Sequence, residues 1–275
     1  SGGLVQMWQR LAELLHGWYE QIQAEALQSA VLHADETGWR VNGKTHWLWC
    51  FSTSDSTFYL IDRCRGQPAL LKFFQQEFGG TLVSDFWGAY NAVVCSRRQM
   101  CLVHLLRDLE QVETYRCVNP DWPDFAKKLR RLIADAIRLK KRDAVPTAEY
   151  TSRRLRFDQR LQELIAAPWN HTDARRLIKR LRRHQGDLFT FLDEPGVPFD
   201  NNHAEREIRP AVIMRKNILC NQSDQGAQTQ AVLMSIFRTL RKRGLDPMTE
   251  IVQALRAYAV TGKLPALPVL LVKSD

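Results

Sequence analysis

Apolar residues open the chain at helical spacing. Leu4, Trp8, Leu11, Leu15, Trp18 and Ile22 step by four and three, which predicts one helix over 4–27 whose stripe is a packing face. The pattern then becomes that of strands. Residues 31–41 and 44–52 flank Asn42-Gly43, a two-residue hairpin turn whose members both tolerate positive φ. In the second run Trp47, Trp49 and Phe51 alternate with Leu48 and Cys50. Ser54-Asp55-Ser56 turns the chain again, and 57–62 is a third strand rich in β-formers. Pro68 starts a helix read to Phe78, with Gly79-Gly80 as its stop. A fourth strand, 81–85, follows that helix and is therefore expected parallel to the first. A short helix near 87–94, a fifth strand at 99–104 and a helix bearing Leu105, Leu109 and Val112 complete this part.

From Asp121 to Asp193 the spacing is helical throughout. Three helices are expected, separated by Pro146 and by the stretch 168–172. Their inner faces are read as Phe125, Leu129, Leu132, Ile133, Ala136 and Ile137, then Leu155, Leu161, Leu164 and Ile165, then Leu177, Ile178, Leu181, Leu188 and Phe191. A linker at 194–200 returns to a helix starting at Asn202, which Pro210 is expected to end or bend. Arg215-Lys216-Asn217 is read as extended. Helices over 226–243 and 247–258 follow, then an extended tail after Gly262. The organisation expected is an N-terminal helix (1–29), the first part of an α/β core (30–120), a helical block (121–199), the rest of the core (200–262) and the tail (263–275).

Charge adds a partner class. The 275 residues carry a formal net charge of +9, with a sequence pI near 9.4. A basic balance favours an anionic partner, usually nucleic acid, or else is a solvated surface. The excess is local: 121–193 holds 18 Lys and Arg against 10 Asp and Glu. Lys127, Lys128, Arg130 and Arg131, then Lys140, Lys141 and Arg142, then Arg175, Arg176, Lys179, Arg180, Arg182 and Arg183 form successive patches, read as contacts to a duplex backbone or as solvated helix faces. Hydrophobic content of 45% and charged content of 25% are ordinary for a globular chain with a proper core. No apolar run approaches the ~20 residues of a membrane span. The six cysteines, Cys50, Cys64, Cys95, Cys101, Cys117 and Cys220, form no Cys-x-x-Cys pair and are expected as reduced thiols of a cytoplasmic protein. Cys101-Leu-Val-His104 has ligand-like spacing without a second pair to complete a zinc site. The first residue is not Met, as expected of a piece trimmed at its front.

Three acids stand out: Asp35, which the strand beginning at 31 carries into the sheet, Asp85 at the end of 81–85, and Glu205 in the helix start Asp200-Asn-Asn-His-Ala-Glu-Arg206. Hard divalent cations take oxygen ligands, and two-metal phosphodiester chemistry needs acids that flank and bridge the pair. Three carboxylates gathered without a cation would repel, and at least one would hold a proton. Each also has a structural reading. Asp35 could end a strand, Asp85 could cap the next helix, and Glu205, three residues after Asn202, has capping-box spacing. Glu36 is expected to point away from Asp35, because successive strand residues face opposite sides.

These residues carry a resemblance. His33-Ala-Asp-Glu-Thr-Gly38, Leu82-Val-Ser-Asp-Phe-Trp-Gly-Ala-Tyr90, Cys101-Leu-Val-His104 and Asn201-Asn-His-Ala-Glu-Arg-Glu-Ile-Arg-Pro210, followed by Arg215-Lys-Asn217, resemble the transposases of the insertion sequence 66 family, a branch of the DDE transposases. The resemblance runs in order from about Leu32 to Leu255. It implies an α/β fold: an RNase H-like mixed five-stranded sheet flanked by helices, with an all-helical insertion before the last acid. It implies Asp35, Asp85 and Glu205 as catalytic and metal-holding acids, with Mg²⁺ or Mn²⁺, two ions, as cofactor. The activity implied is cleavage and strand transfer at element ends in double-stranded DNA, by a homodimer or higher multimer. A nuclease of the same fold that only hydrolyses, and a non-catalytic DNA-binding relic, are the alternatives. Recognition of element ends, which the resemblance assigns to an upstream DNA-binding and zipper-like region, is not expected from these 275 residues, and the family's Cys-x-x-His is followed here by one basic residue, Arg107, instead of two. DNA contacts are expected from His104, Arg206, Arg209, Arg215 and Lys216 near the acids and from Arg175, Arg176, Lys179 and Arg180. For the group near Glu205 the structural alternative is pairing with Glu207 or other core acids; for His104 it is a satisfied, partly buried side chain.

Overall fold

The computed structural model describes residues 2–115, 121–142, 145–218 and 221–269. Cys117 and Cys220 lie outside them. The chain divides into two compact units. One comprises Ser1–Leu82, Gly88–Ser96 and Asn202–Asp275, the other Val83–Trp87 and Arg97–Asn201. Five strands, β1 (Val31–Val41), β2 (Lys44–Ser52), β3 (Thr57–Asp62), β4 (Phe78–Ser84) and β5 (Cys95–Met100), lie in the order β3-β2-β1-β4-β5. Helices flank this sheet. No helix among the described residues is long and apolar enough to cross a membrane.

The meander forms where the alternating pattern places it. Asn42 and Gly43 take φ of 47° and 71°, closing the β1–β2 hairpin with Val41 opposite Lys44 and Asp35 opposite Cys50. β3 is an edge strand, and two of its outer N–H groups are covered from within the unit. The N–H of Thr57 donates to Thr239 Oγ1 at 3.0 Å and that of Tyr59 to Ser235 Oγ at 2.8 Å. Both hydroxyls lie on α10 (Asp224–Lys242), four residues apart and hence on one face. The start of the edge, so covered, offers no ladder to another chain.

The first unit buries two apolar layers. One side of the sheet packs Leu32, Ala34, Trp49 and Phe51 against Trp18, Ile22, Phe73 and Leu240. The other packs Trp39, Val41, Cys50 and Tyr59 against Ile208 and Ala211 of α9 (Asn202–Ile218).

Several boundaries differ from the sequence reading. The opening helix is two, α1 (Gly2–Leu14) and α2 (His16–Leu27), and the stripe is buried only from Leu15 on; Leu4 and Trp8 are exposed. The helix after Pro68, α3 (Gln67–Phe73), ends early, and Gly79 and Gly80 belong to β4. The reason is a close approach of backbones. A Cβ on Gly80 would stand 2.4 Å from the Ser29 carbonyl oxygen and 2.8 Å from that of Ala30, which accepts from the Thr81 N–H. The glycine read as a stop is a strand residue with no room for a side chain. The stretch near 87–94 is a 3-10 helix, Gly88–Ala92. The fifth strand lies earlier than 99–104. Its polar start, Cys-Ser-Arg-Arg, hides the β pattern, and His104 sits in α4 (Leu102–Tyr115).

α9 runs through Pro210 and includes Arg215, Lys216 and Asn217, which are not extended. Proline removes one intrahelical bond. Burial of Ile208 and Ala211 on either side of it keeps the helix in place. The extended piece comes later: Asn221 bridges to Val41, its backbone accepting from Asn42 N–H and donating to Arg40, while its side chain accepts from the Trp39 indole at 2.7 Å. The last helix, α11 (Pro247–Thr261), is capped by Asp246 and ends on Gly262 at φ 70°.

The second unit holds α4, α5 (Asp121–Lys140), α6 (Thr147–Ala166), α7 (Thr172–Arg183) and the single turn α8 (Thr190–Asp193). Phe125, Leu129, Ile133, Leu161, Leu177 and Leu181 are buried as the helical spacing requires, whereas Leu155, read as inward, is 57% exposed.

Candidate active site

Asp35 and Glu205 belong to the first unit, Asp85 to the second. On β1, His33, Asp35, Thr37, Trp39 and Val41 share a face by strand alternation. Trp39 and Val41 pack there against α9. Cys50, opposite Asp35, is on this side too: burial pushes its thiol well up, and the charges of Glu207 and Asp35 push it further.

The start of α9 lies over this same face. The rings of His33 and His203 are 4.7 Å apart, and Ala204, Ile208 and Ala211 form the helix's buried stripe. Glu205 follows Ala204 and borders that stripe, half-buried like Asp35. One oxygen of Asp35 accepts from the N–H of Glu36 at 2.9 Å. In the second unit Asp85, also half-buried, accepts from the Trp87 N–H at 2.8 Å, the short-range turn bond its position after β4 allows.

Glu36 points away from Asp35, as alternation requires. Its side chain is 2% exposed and accepts from Arg65 at 3.0 Å and from the Tyr90 hydroxyl at 2.7 Å. Two adjacent acids on β1 thus have different surroundings. One is neutralised beneath the sheet; the other faces α9.

A buried polar network holds the front of α9, and the sequence reading missed it. Glu207 accepts from Arg238 at 2.8 Å and from the Thr57 hydroxyl at 3.1 Å, with Lys242 Nζ 3.6 Å away. The Tyr59 hydroxyl donates to the Glu207 carbonyl at 2.5 Å. Lys242 donates to Ser52 Oγ at 2.7 Å and lies 2.9 Å from His203 Nε2. That nitrogen is also 2.7 Å from the Thr53 carbonyl. Burial and the charge of Lys242 lower the His203 pKa below its ordinary 6.5. Burial would raise Glu207, but Lys242 and Arg238 outweigh it and hold the carboxyl below 4.5. A signal for part of this network lies in the sequence: Arg238 and Lys242, four apart, share a face of α10 with Ser235.

Of the basic residues near Glu205, Arg206, Arg209 and Lys216 are exposed on α9. Arg206 and Arg209 line a shallow depression with Ile213 and Met214. It is Arg238 and Lys242 that pair with Glu207. Arg215 turns inward and donates to the Gly38 carbonyl, tying α9 to β1. In the second unit His104 is half-buried in the first turn of α4. Cys101 Sγ accepts from the Asn201 N–H at 3.2 Å. On α7, Arg175 and Lys179 are exposed, Arg176 pairs with Asp173 at 3.2 Å, and Arg180 pairs with Asp108 and covers the Phe86 ring at 5.0 Å.

The donor chemistry of Asp35, Asp85 and Glu205, all carboxylate oxygen, suits a hard divalent cation. Among the described residues no group of three or more His, Cys, Asp or Glu is arranged to hold a metal ion.

Residues 1–229 match the family model described as "Transposase IS66 family". Two proteins of Sinorhizobium fredii (strain NBRC 101917 / NGR234) are similar. "Uncharacterized protein y4qI" is 26% identical over 247 residues, 79% of this chain and 45% of that protein. "Uncharacterized protein y4jD" is 25% identical over 197 residues, 65% of this chain and 38% of that protein. The chain therefore spans less than half the length of these two relatives.

Proposed function

We propose, on the premise that this chain belongs to the IS66 family of transposases, that it is the catalytic part of a DNA transposase that cuts element ends and transfers the resulting strand. The observation that carries the reading is the placement of Asp35 and Glu205. Both border the same face of β1, one on the strand and one on the helix packed over it, while Glu36 next door is committed to Arg65 and Tyr90. The architecture is read as RNase H-like, with the helices between β5 and α9 as an insertion. Asp85, at the end of β4, is assigned as the third acid.

In this reading Asp35, Asp85 and Glu205 would hold divalent metal, Mg²⁺ or Mn²⁺. Bound there, it supplies positive charge to a phosphodiester under attack by water or a 3′ hydroxyl. The remaining work falls to the chain. The network of Glu207, Arg238, Lys242 and His203 fixes the front of α9, so Glu205 is presented from a rigid element. Arg206, Arg209 and Lys216 are exposed and available to phosphates; the fork of Arg suits two phosphate oxygens at once. Arg215 positions α9 through Gly38. On α7, Arg175 and Lys179 are the residues most open to DNA, with Arg176 and Arg180 held by acids of their own unit. DNA and further copies of the chain are the proposed partners.

The test is a strand-transfer assay with a pre-cleaved 3′ end in Mg²⁺, run beside a hydrolysis assay on the uncut end. Asp35→Asn, Asp85→Asn and Glu205→Gln are each expected to abolish both reactions while DNA binding persists. Retention of metal-dependent cleavage by any of the three removes that acid from the role. Hydrolysis without strand transfer would leave a nuclease.

A further inference from the structure

The second unit carries a basic groove of about 780 Å³ between α5 and α6. Its rims are two ladders at helical spacing. Lys128, Arg131 and Arg138 line it from α5, with Asp135 among them, and Arg142 lines it from just past the end of that helix. Arg153, Arg156 and Arg160 line it from α6, with Glu163 next on that face. Each ladder steps by three and four, so its members stand on one side of their helix. From Lys128 to Arg138 the α5 ladder covers about 15 Å at 1.5 Å per residue.

The acids within reach do not satisfy these cations. Asp135 accepts from both Arg138 and Arg160 at 2.9 Å, one carboxylate between two guanidiniums. Lys128 and Arg153 pair with Asp124 and Glu149 one turn away on their own helices. Among the described residues Arg131, Arg142 and Arg156 make no ion pair, and all three are exposed. Exposed pairs of this kind add little to stability, so a phosphate exchanges for them at little cost.

We infer that this groove holds the phosphate backbone of one nucleic-acid strand. Two features favour that occupant over an acidic protein segment. Six of the seven cations are Arg, whose planar fork matches two phosphate oxygens. Most of the floor is closed, with Leu132, Leu139, Phe157 and Leu164 at most 5% exposed, and the aromatic left accessible in the lining, half-buried Trp169, is of the kind on which nucleic-acid bases stack. The inference stands on the helical unit alone and does not need Asp35, Asp85 or Glu205 to be catalytic.

The experiment uses the full chain and a fluorescent 20-nucleotide thymidine strand, with a duplex of equal length as second probe, read by anisotropy across a salt series. The combined variant Arg131→Gln, Arg142→Gln and Arg156→Gln is compared with a charge-matched control in the first unit, Arg10→Gln, Arg256→Gln and Lys263→Gln, all exposed. The groove variant is expected to weaken binding about tenfold and to reduce the salt slope by about 2, as loss of three single-strand phosphate contacts requires. The control slope is expected to equal that of the unchanged chain. Coincident slopes for the two variants would overturn the inference. So would displacement of the strand by polyglutamate of equal total charge as readily as by unlabelled strand, which would assign the groove to acidic protein. A slope change seen with the duplex as well as the single strand supports a backbone site.

Discussion

Lys242 Nζ lies 2.9 Å from His203 Nε2, and the same ring nitrogen is 2.7 Å from the Thr53 carbonyl. One nitrogen cannot both donate to that carbonyl and accept from an ammonium. In either tautomer a second ring proton is opposed by the Lys242 charge and by burial, so His203 is held neutral. A histidine whose folded pKa lies below its unfolded value of 6.5 gives its full contribution to stability above that pH and loses it on acidification. Glu207, also lowered, keeps its contribution above 4.5 and loses it below. Urea midpoints are therefore expected to fall as pH drops below 6.5, with a further fall below 4.5. His203→Gln should flatten the upper limb and leave the lower one. Parallel curves for the two proteins would place the titration elsewhere.

Glu205 and Glu207 stand two residues apart on α9 and are expected to fail in opposite ways. Glu207→Ala leaves Arg238 and Lys242 facing each other without a counter-charge in a largely buried site, at a cost of about 3 kcal/mol. Glu205→Gln should melt within a degree or two of the parent and lose cleavage. Thermal melts beside the cleavage assay separate the two roles.

On β1 the contrast is between neighbours. Glu36→Ala removes the acceptor of Arg65 and the Tyr90 hydroxyl and is expected to cost about 2 kcal/mol, the worth of hydrogen bonds to a charged group. Asp35→Asn keeps shape at a half-buried position and is expected within about 0.5 kcal/mol. Equal destabilisation by both would mean that Asp35 is structural.

Gly80→Ala meets backbone oxygen on two sides and is expected to cost about 3 kcal/mol or to prevent folding. Gly79→Ala, with nothing within 4 Å of its Cβ, serves as the control and should be close to neutral. Denaturant midpoints of the pair decide it.

Local chemistry made the meander legible: alternation and Asn42-Gly43 fix β1 to β3 residue by residue. Where structure is set by distant partners, sequence reading strayed. Gly80 looks like a helix stop until Ser29 and Ala30 are known to press on it. Pro210 looks like a terminus until Ile208 and Ala211 are known to be pinned against the sheet. The acids were legible as types, Asp35 within a strand and Asp85 and Glu205 at element ends, and Glu36 was set aside correctly by alternation, though its partners Arg65 and Tyr90 could not be named. The α5–α6 ladders were present as i, i+3, i+4 spacing. Reading Lys and Arg as consecutive runs dispersed them among patches.

The partners of Glu36 reach beyond its own stability. Asp-Glu on a strand is ambiguous to the backbone, since a one-residue slip against β2 would exchange the two acids between sides. Arg65 and Tyr90 accept only one of the two answers. They act as a reading frame for β1, and a weakened clamp there would misfile the carboxylate that α9 is meant to meet while leaving every residue of the strand in place.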